Sequence, residues 1–170
     1  MSKIKFPHLP ALVGLILLML TVVTSVSAQA KTAPAKESKL ERLLKETSAN
    51  YMPFQGPRTF VVTYKGKDKP QIDVILIEAD ESVLMFADVA AGKEIDLTPE
   101  MMKKLLQYNM HVDYIKVGIS DLGSIRVQTE QDLTPLTGKV FEKILDQVAA
   151  GTDEVTKLLA PVRKGPAAVK

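Results

Sequence analysis

Few side chains of this sequence could carry out chemistry, and the first candidate is a histidine. His111 is followed by Asp113 and Ser120, so a Ser-His-Asp grouping can be written down. No motif such as G-x-S-x-G places the serine at a sharp turn, and a triad is defined by its geometry rather than by this spacing. His111 is therefore predicted to be a partly exposed residue between a helix and a strand.

The second candidate is a pair of carboxylates, Asp73 and Asp88, on neighbouring strand-like segments. A four-residue turn at 79–82 would pair Glu78 with Val83 and so place the two aspartates opposite each other. Like charges in that position are unfavourable and raise the pKa of one carboxyl, so the pair could bind a cation or serve as the base of a hydrolase. The alternatives are a different strand register or neutralisation by the nearby lysines Lys65, Lys67 and Lys69.

Other kinds of chemical site lack their characteristic residues in this sequence. The chain has no cysteine, which excludes disulfides, thiolate catalysis and cysteine-ligated zinc. The acidic stretch Glu78-Ala79-Asp80-Glu81 lacks the alternating ligands of a calcium loop. Glycine-rich phosphate-binding loops are also missing. We therefore predict no catalytic residue, no metal and no cofactor.

The elements that carry these residues predict one α+β domain at residues 38–160. Ser38 and Glu41 fit a capping box before a helix at 39–50, and Asp96-Leu97-Thr98-Pro99 and Asp132-Leu133-Thr134-Pro135 each place a capping threonine and a proline before a helix. Gly151 is a break or a tolerated kink in the last helix. Strands rich in Val, Ile and aromatic residues are predicted at 59–65, 71–78, 83–90, 114–120 and 124–129. The order is helix, three strands, helix, two strands, helix, with an antiparallel sheet.

The strands at 71–90 are apolar on both faces, which points to a partner. Ile72, Val74 and Leu76 alternate with apolar residues on the opposite face. If the helices cover one face, the other needs helices of its own, a second subunit or a bound polypeptide. The residues predicted to bind a partner there are Ile75, Ile77, Leu84 and Phe86. Methionines 101, 102 and 110 are either an adaptable binding surface or part of the core.

The first thirty residues have the pattern of a secretory signal peptide. Lys3 and Lys5 precede an apolar run at 11–23, and Ala28-Gln29-Ala30 fits the cleavage motif, so cleavage is predicted after Ala30. The run is shorter than the about 20 residues of a spanning helix, so no permanent membrane anchor is expected. A flexible leader at 31–37 and a disordered tail at 161–170 flank the domain. The predicted location is the periplasm or the medium.

Charge argues against nucleic acid as the partner. Removal of Lys3 and Lys5 leaves 20 Lys and Arg against 20 Asp and Glu. A near-neutral chain has no basic field that would attract nucleic acid or an anionic membrane.

The order of elements, with the two Asp-Leu-Thr-Pro segments opening the later helices, resembles the type III secretion chaperone-like fold. That fold includes the Tir chaperone family and the YbjN-like proteins, and the resemblance covers residues 38–159. It implies a non-enzymatic protein, often a homodimer, that holds a segment of another protein or acts as an adaptor. Secretion chaperones are cytosolic and acidic, so this chain resembles an exported relative of the YbjN-like branch. The alternatives are a carrier of a small molecule or lipid, and a carboxylate-based hydrolase.

Overall fold

The computed structural model describes residues 37–164. The predicted signal peptide at 1–30, the cleavage site after Ala30, the leader up to residue 36 and the tail beyond residue 164 lie outside the described residues. Within that range, none of the helices is long and apolar enough to cross a membrane.

The first helix, α1 (Lys39–Lys45), begins at the predicted cap, where the Ser38 hydroxyl accepts a hydrogen bond from the Glu41 N–H at 3.0 Å. It is shorter than the predicted helix at 39–50. The Thr47 hydroxyl donates to the Leu44 carbonyl at 2.8 Å, and the Ser48 N–H donates to Glu142 at 3.0 Å. These side-chain hydrogen bonds compete with the backbone hydrogen bonds of a further helical turn. The helix therefore ends at Lys45.

Of the two Asp-Leu-Thr-Pro segments, only the first opens a helix. Thr98 caps α2 (Pro99–His111) by accepting from the Met101 N–H at 3.2 Å. The prediction for the second segment is wrong, because α3 (Gly138–Leu159) begins at the cap Thr137. Leu133 is buried and its N–H donates to the Glu81 carbonyl at 2.8 Å, which holds this segment in a turn before the helix.

The sheet has six antiparallel strands, one more than predicted. The additional strand, β1 (Tyr51–Pro53), pairs with the next strand, and the Tyr51 ring packs edge-on against Phe60 with centroids 5.7 Å apart. The order across the sheet is β1-β2-β3-β4-β6-β5. The remaining strands are β2 (Thr59–Tyr64), β3 (Ile72–Ala79), β4 (Ser82–Ala90), β5 (Lys116–Ile119) and β6 (Ile125–Asp132). The predicted α+β class with an antiparallel sheet is confirmed.

The helices between residues 37 and 164 pack on one face of this sheet. The core joins side chains of all three helices to the face that carries Val74, Leu76, Val83 and Met85. Gly151 does not break α3, and it is buried where an added Cβ would collide with Ile115. Helices on both faces, one of the arrangements considered from the sequence, are not found in the described range.

Two groups of hydrogen bonds hold the C-terminal part of the domain in place. The Asp153 carboxylate on α3 accepts three backbone N–H groups of the turn between β2 and β3, those of Lys67, Asp68 and Lys69, at 2.8–3.0 Å. Residues 161–164, the start of the predicted tail, lie along residues 94–96, where the Lys164 N–H donates to the Glu94 carbonyl at 2.9 Å.

Candidate binding surface

The face of the sheet opposite the helices carries a row of apolar side chains that crosses the strands. Val61 pairs with Ile75, and Ile75 pairs with Phe86; a neighbouring pair is Ile77 with Leu84. Directly paired residues of antiparallel strands point to the same face. The four residues predicted to bind a partner are therefore brought together. With Val61 they define the open-face patch: Val61, Ile75, Ile77, Leu84 and Phe86.

The patch lies outside the core of the domain. Ile75, Ile77 and Leu84 are half-buried, while Val61 and Phe86 are buried, with 8% and 7% of their surface exposed. None of the five belongs to the buried core cluster. Sequence reasoning missed Val61, although its alternation with the core residues Phe60 and Val62 on β2 was a visible signal.

A polar border lies along one side of the patch. The Arg126 guanidinium stacks on the Phe86 ring, 3.8 Å from its centroid, and its Nε donates to Asp88 at 2.9 Å. Such a stacked cation contributes roughly 0.5–1 kcal/mol at an exposed site. Thr63 and Asp73 continue this border on β2 and β3. A ligand on the patch would therefore meet an apolar centre and hydrogen-bonding groups along one edge.

The two carboxylates that the sequence analysis considered as a pair each have hydrogen-bond partners of their own. Glu78 does pair with Val83, but the pairing of β3 with β4 stops at Ile75 and Phe86. Asp73 accepts instead from the Thr63 hydroxyl at 2.8 Å and from the Gln71 side chain at 2.9 Å, while Asp88 binds Arg126. Each carboxylate thus has a partner other than its counterpart, and the shared pair stays a prediction.

Both edges of the sheet are unsuited to accept another strand. At β5, the Asn109 side chain of α2 accepts from the Val117 N–H at 2.7 Å and donates to the Val117 carbonyl at 3.0 Å. This amide thus occupies the N–H and C=O of Val117, which are two of the groups that an added strand would use. At the other edge, β1 is three residues long and includes Pro53, which has no N–H to donate.

A second apolar surface, which we call the α2–β5 surface, lies at the β5 end of the sheet. Met102, Leu106 and Ile119 are 42%, 67% and 58% exposed and line a cleft of about 180 Å³ between α2 and β5. Met110 is exposed beside them, whereas Met101 is buried in the core. The three methionines considered from the sequence therefore divide between surface and core.

The histidine lies at the helical side of the domain, in a polar pocket of about 270 Å³. His111, Asp113 and Glu154 line it together with Tyr108, whose hydroxyl donates to Glu154 at 2.9 Å. Burial and this carboxylate raise the pKa of Tyr108 above its usual value. Ser120 is not part of the pocket, since its hydroxyl accepts from the Ser124 N–H in the turn between β5 and β6. The structure does not assemble the Ser-His-Asp grouping.

Across residues 37–164, no group of three or more His, Cys, Asp and Glu side chains is arranged to hold a metal ion.

No protein-family model matches the sequence, and the search of curated proteins gives no match. Solved structures are similar to the chain, however. One is the ExoU-SpcU complex of the type III secretion system of Pseudomonas aeruginosa, with 16% identity and a TM-score of 0.48 over 59% of this chain and 84% of that chain. Another is YbjN from E. coli, with 13% identity and a TM-score of 0.49 over 74% of this chain and 93% of that chain.

A third is the HopA1-SchA chaperone-effector complex, with 12% identity and a TM-score of 0.46 over 69% of this chain and 88% of that chain. The predicted resemblance to secretion chaperones and YbjN is thereby confirmed as a resemblance. Because these identities are below 20% and these TM-scores below 0.5, the similarity assigns no function to the chain. That the chain is an exported member stays a prediction.

Proposed function

We propose that this chain is a non-enzymatic, chaperone-like binding protein that holds a polypeptide segment on the open-face patch. The observation that carries the proposal is the placement of Ile75, Ile77 and Leu84 together on the sheet face opposite the helices, outside the core. Full burial of such a side chain contributes about 1.5–3 kcal/mol. Because these side chains are only half-buried, a partner that covers them gains part of that energy.

The dimensions of the apolar surfaces favour a polypeptide over a lipid. Small-molecule sites are enclosed pockets of about 300–1,000 Å³, whereas the apolar cleft beside α2 measures about 180 Å³. The patch itself crosses three strands, so its ligand must be long enough to reach across all three. Neither the volume of the cleft nor the extent of the patch supports the alternative of a lipid carrier.

The signal-peptide pattern supports the periplasm or the medium as the location of this activity. Mass spectrometry of the exported protein should find Lys31 as the first residue. A mature protein that retains residues 11–23 would overturn this part of the proposal.

The experiment that tests the binding surface uses residues 31–170 and reduced insulin, whose B chain aggregates when it is released. We expect the wild-type protein to suppress this aggregation and Ile77→Asp to weaken the suppression at least about tenfold, because a charge would be buried without a partner. The matched control is Leu106→Asp on the α2–β5 surface, which should retain suppression. Equal effects of both variants, each folded by circular dichroism, would refute the choice of surface.

The predicted homodimer is a separate part of this proposal, and light scattering across a concentration series measures it. We expect a dimer whose mass is halved by Ile77→Asp if the same face joins the subunits. A wild-type monomer at every concentration would refute this part.

A further inference from the structure

We propose that the polypeptide held on the open-face patch carries a basic residue beside its apolar residues, and that Glu130 and Asp132 of β6 bind this basic residue. The inference rests on the proposed function and deepens it, because it names the kind of segment that the patch selects. Its physical basis is the position of these two residues, which we call the β6 carboxylates, their exposure, and the engagement of the cations on the same face.

The β6 carboxylates lie next to the apolar side chains of the patch. Leu84 on β4 pairs with Glu130, and Ser82 pairs with Asp132. Directly paired residues of antiparallel strands point to the same face, with their Cβ atoms about 4.5–5.5 Å apart. Leu84 pairs with Ile77 on its other side. A ligand that crosses the strands over Ile77 and Leu84 therefore meets Glu130 next.

The spacing and surroundings of the β6 carboxylates suit a cation. Both residues are exposed, and the Ser82 hydroxyl donates to Glu130 at 2.9 Å. They are two residues apart on one strand, which separates their Cα atoms by roughly 7 Å, and like charges at such a distance repel each other. None of the ion pairs within residues 37–164 includes either carboxylate. A lysine or arginine side chain that approaches both would be attracted by two charges and would reduce their repulsion.

The cations that the strands place on the same face already have other partners. Arg126 pairs with Asp88 on β4, with Nε 2.9 Å from the carboxylate. Lys116 on β5 shares the face through its pairing with Gln128, and its ammonium group donates to the Asn109 carbonyl at 3.1 Å. The chain is near neutral as a whole, yet this part of the open face carries an excess of negative charge. A basic group on the partner is the complement of that charge.

The β6 carboxylates select among segments, while the patch supplies most of the affinity. An exposed ion pair changes a binding constant by up to about fivefold. A segment with an acidic residue at the same place loses this gain and is also repelled, which widens the difference between the two kinds of segment. Selection by charge therefore adds to the apolar contact and does not replace it.

Fluorescence anisotropy with two labelled peptides tests the proposal. Both peptides contain the same apolar residues, followed by lysines in one and by glutamates in the other. We expect residues 31–170 to bind the lysine peptide at least about tenfold more tightly at low salt. The ratio of the two affinities should fall towards one near 1 M salt, where the Debye length is about 3 Å.

Substitution of the β6 carboxylates locates the effect. The double variant Glu130→Gln with Asp132→Asn should lose the preference for the lysine peptide. The matched control is Glu100→Gln with Asp113→Asn, which removes the same charge from exposed positions on and just after α2 and should keep the preference. Equal binding of both peptides by the wild-type protein, or a preference that survives Glu130→Gln with Asp132→Asn, would overturn the proposal.

A further variant separates this proposal from the proposed function. Ile77→Ser removes apolar surface from the patch without adding a charge, and it should weaken both peptides at least about fivefold while leaving the ratio of their affinities unchanged. If the wild-type protein binds both peptides equally and Ile77→Ser weakens both, the selection by charge is refuted while the binding function stands. If the preference depends on Glu130 but Ile77→Ser changes neither affinity, the carboxylate site is supported and the patch is refuted as the binding surface. Failure of both peptides to bind would refute both proposals.

Discussion

The two faces of the sheet have similar side chains but different surroundings. On β3, Val74 and Leu76 point to the helices and are completely buried, whereas Ile75 and Ile77 point the other way and are half-buried. All four are aliphatic, so composition alone does not distinguish the faces. The helices distinguish them, because α1, α2 and α3 supply the other half of the core on one face only. Under the proposed function, apolar residues on this sheet have two roles, and a substitution should affect folding on one face and binding on the other.

The largest effect should separate two adjacent residues of the same strand. We expect Leu76→Ala to lower the free energy of unfolding by about 2–5 kcal/mol, because it leaves a cavity against α3 in a core that cannot collapse fully. Ile77→Ala should cost less than half as much, because its side chain is only half-buried. Urea unfolding of both variants measures this difference. Equal losses would mean that both faces are packed inside the folded chain.

A smaller effect should come from the close approach of α3 to the sheet. Alanine favours a helix over glycine by about 1 kcal/mol, yet we expect Gly151→Ala to destabilise the domain by about 1–3 kcal/mol. The new methyl group would overlap the end of the Ile115 side chain, which is buried and would have to move within the core. Gly118→Ala on β5 is the control, since its Cβ would have open space around it. A more stable Gly151→Ala protein would show that α3 has room to move.

The smallest effect should appear at Asp153 and depend on pH. Desolvation opposes ionisation there, but three backbone N–H donors outweigh it and hold the pKa of Asp153 below its usual value of 3.8. A lowered carboxyl pKa stabilises the folded state above the unfolded pKa, and this stabilisation is lost as pH falls through the folded pKa. Asp153→Asn should therefore be less stable than wild type near neutral pH, and the difference should shrink as the pH falls below the unfolded pKa. A difference that is unchanged by acid would mean that the carboxylate charge plays no part.

The faces of the strands and the starts of two helices were predictable from local patterns in the sequence. Alternation along β3 and β4 predicted which residues share a face, and Ser38 and Thr98 cap their helices as predicted. Thr134 and Pro135 have the same local chemistry as Thr98 and Pro99, yet they form a turn because the Leu133 backbone is held by Glu81. No pattern in the sequence indicates this hydrogen bond between Leu133 and Glu81.

The hydrogen bonds between Asn109 and Val117 could not be predicted from the sequence either. They depend on how α2 lies against β5, and an asparagine in a helix has no pattern that indicates a partner on a neighbouring strand. The local elements and the faces of the strands could thus be read from the sequence. The contacts that close the sheet edge and leave the face open depend on tertiary packing.

The measurement that tests the central claim most directly is site-specific photocrosslinking to a bound polypeptide. A photoreactive amino acid replaces Ile77 on the open-face patch in one sample and Leu106 on the α2–β5 surface in another, each in residues 31–170 mixed with reduced insulin. We expect a crosslinked product from position 77 and little from position 106. Crosslinking from position 106 alone, or equally from both, would contradict the claim that the open face of the sheet is the binding surface.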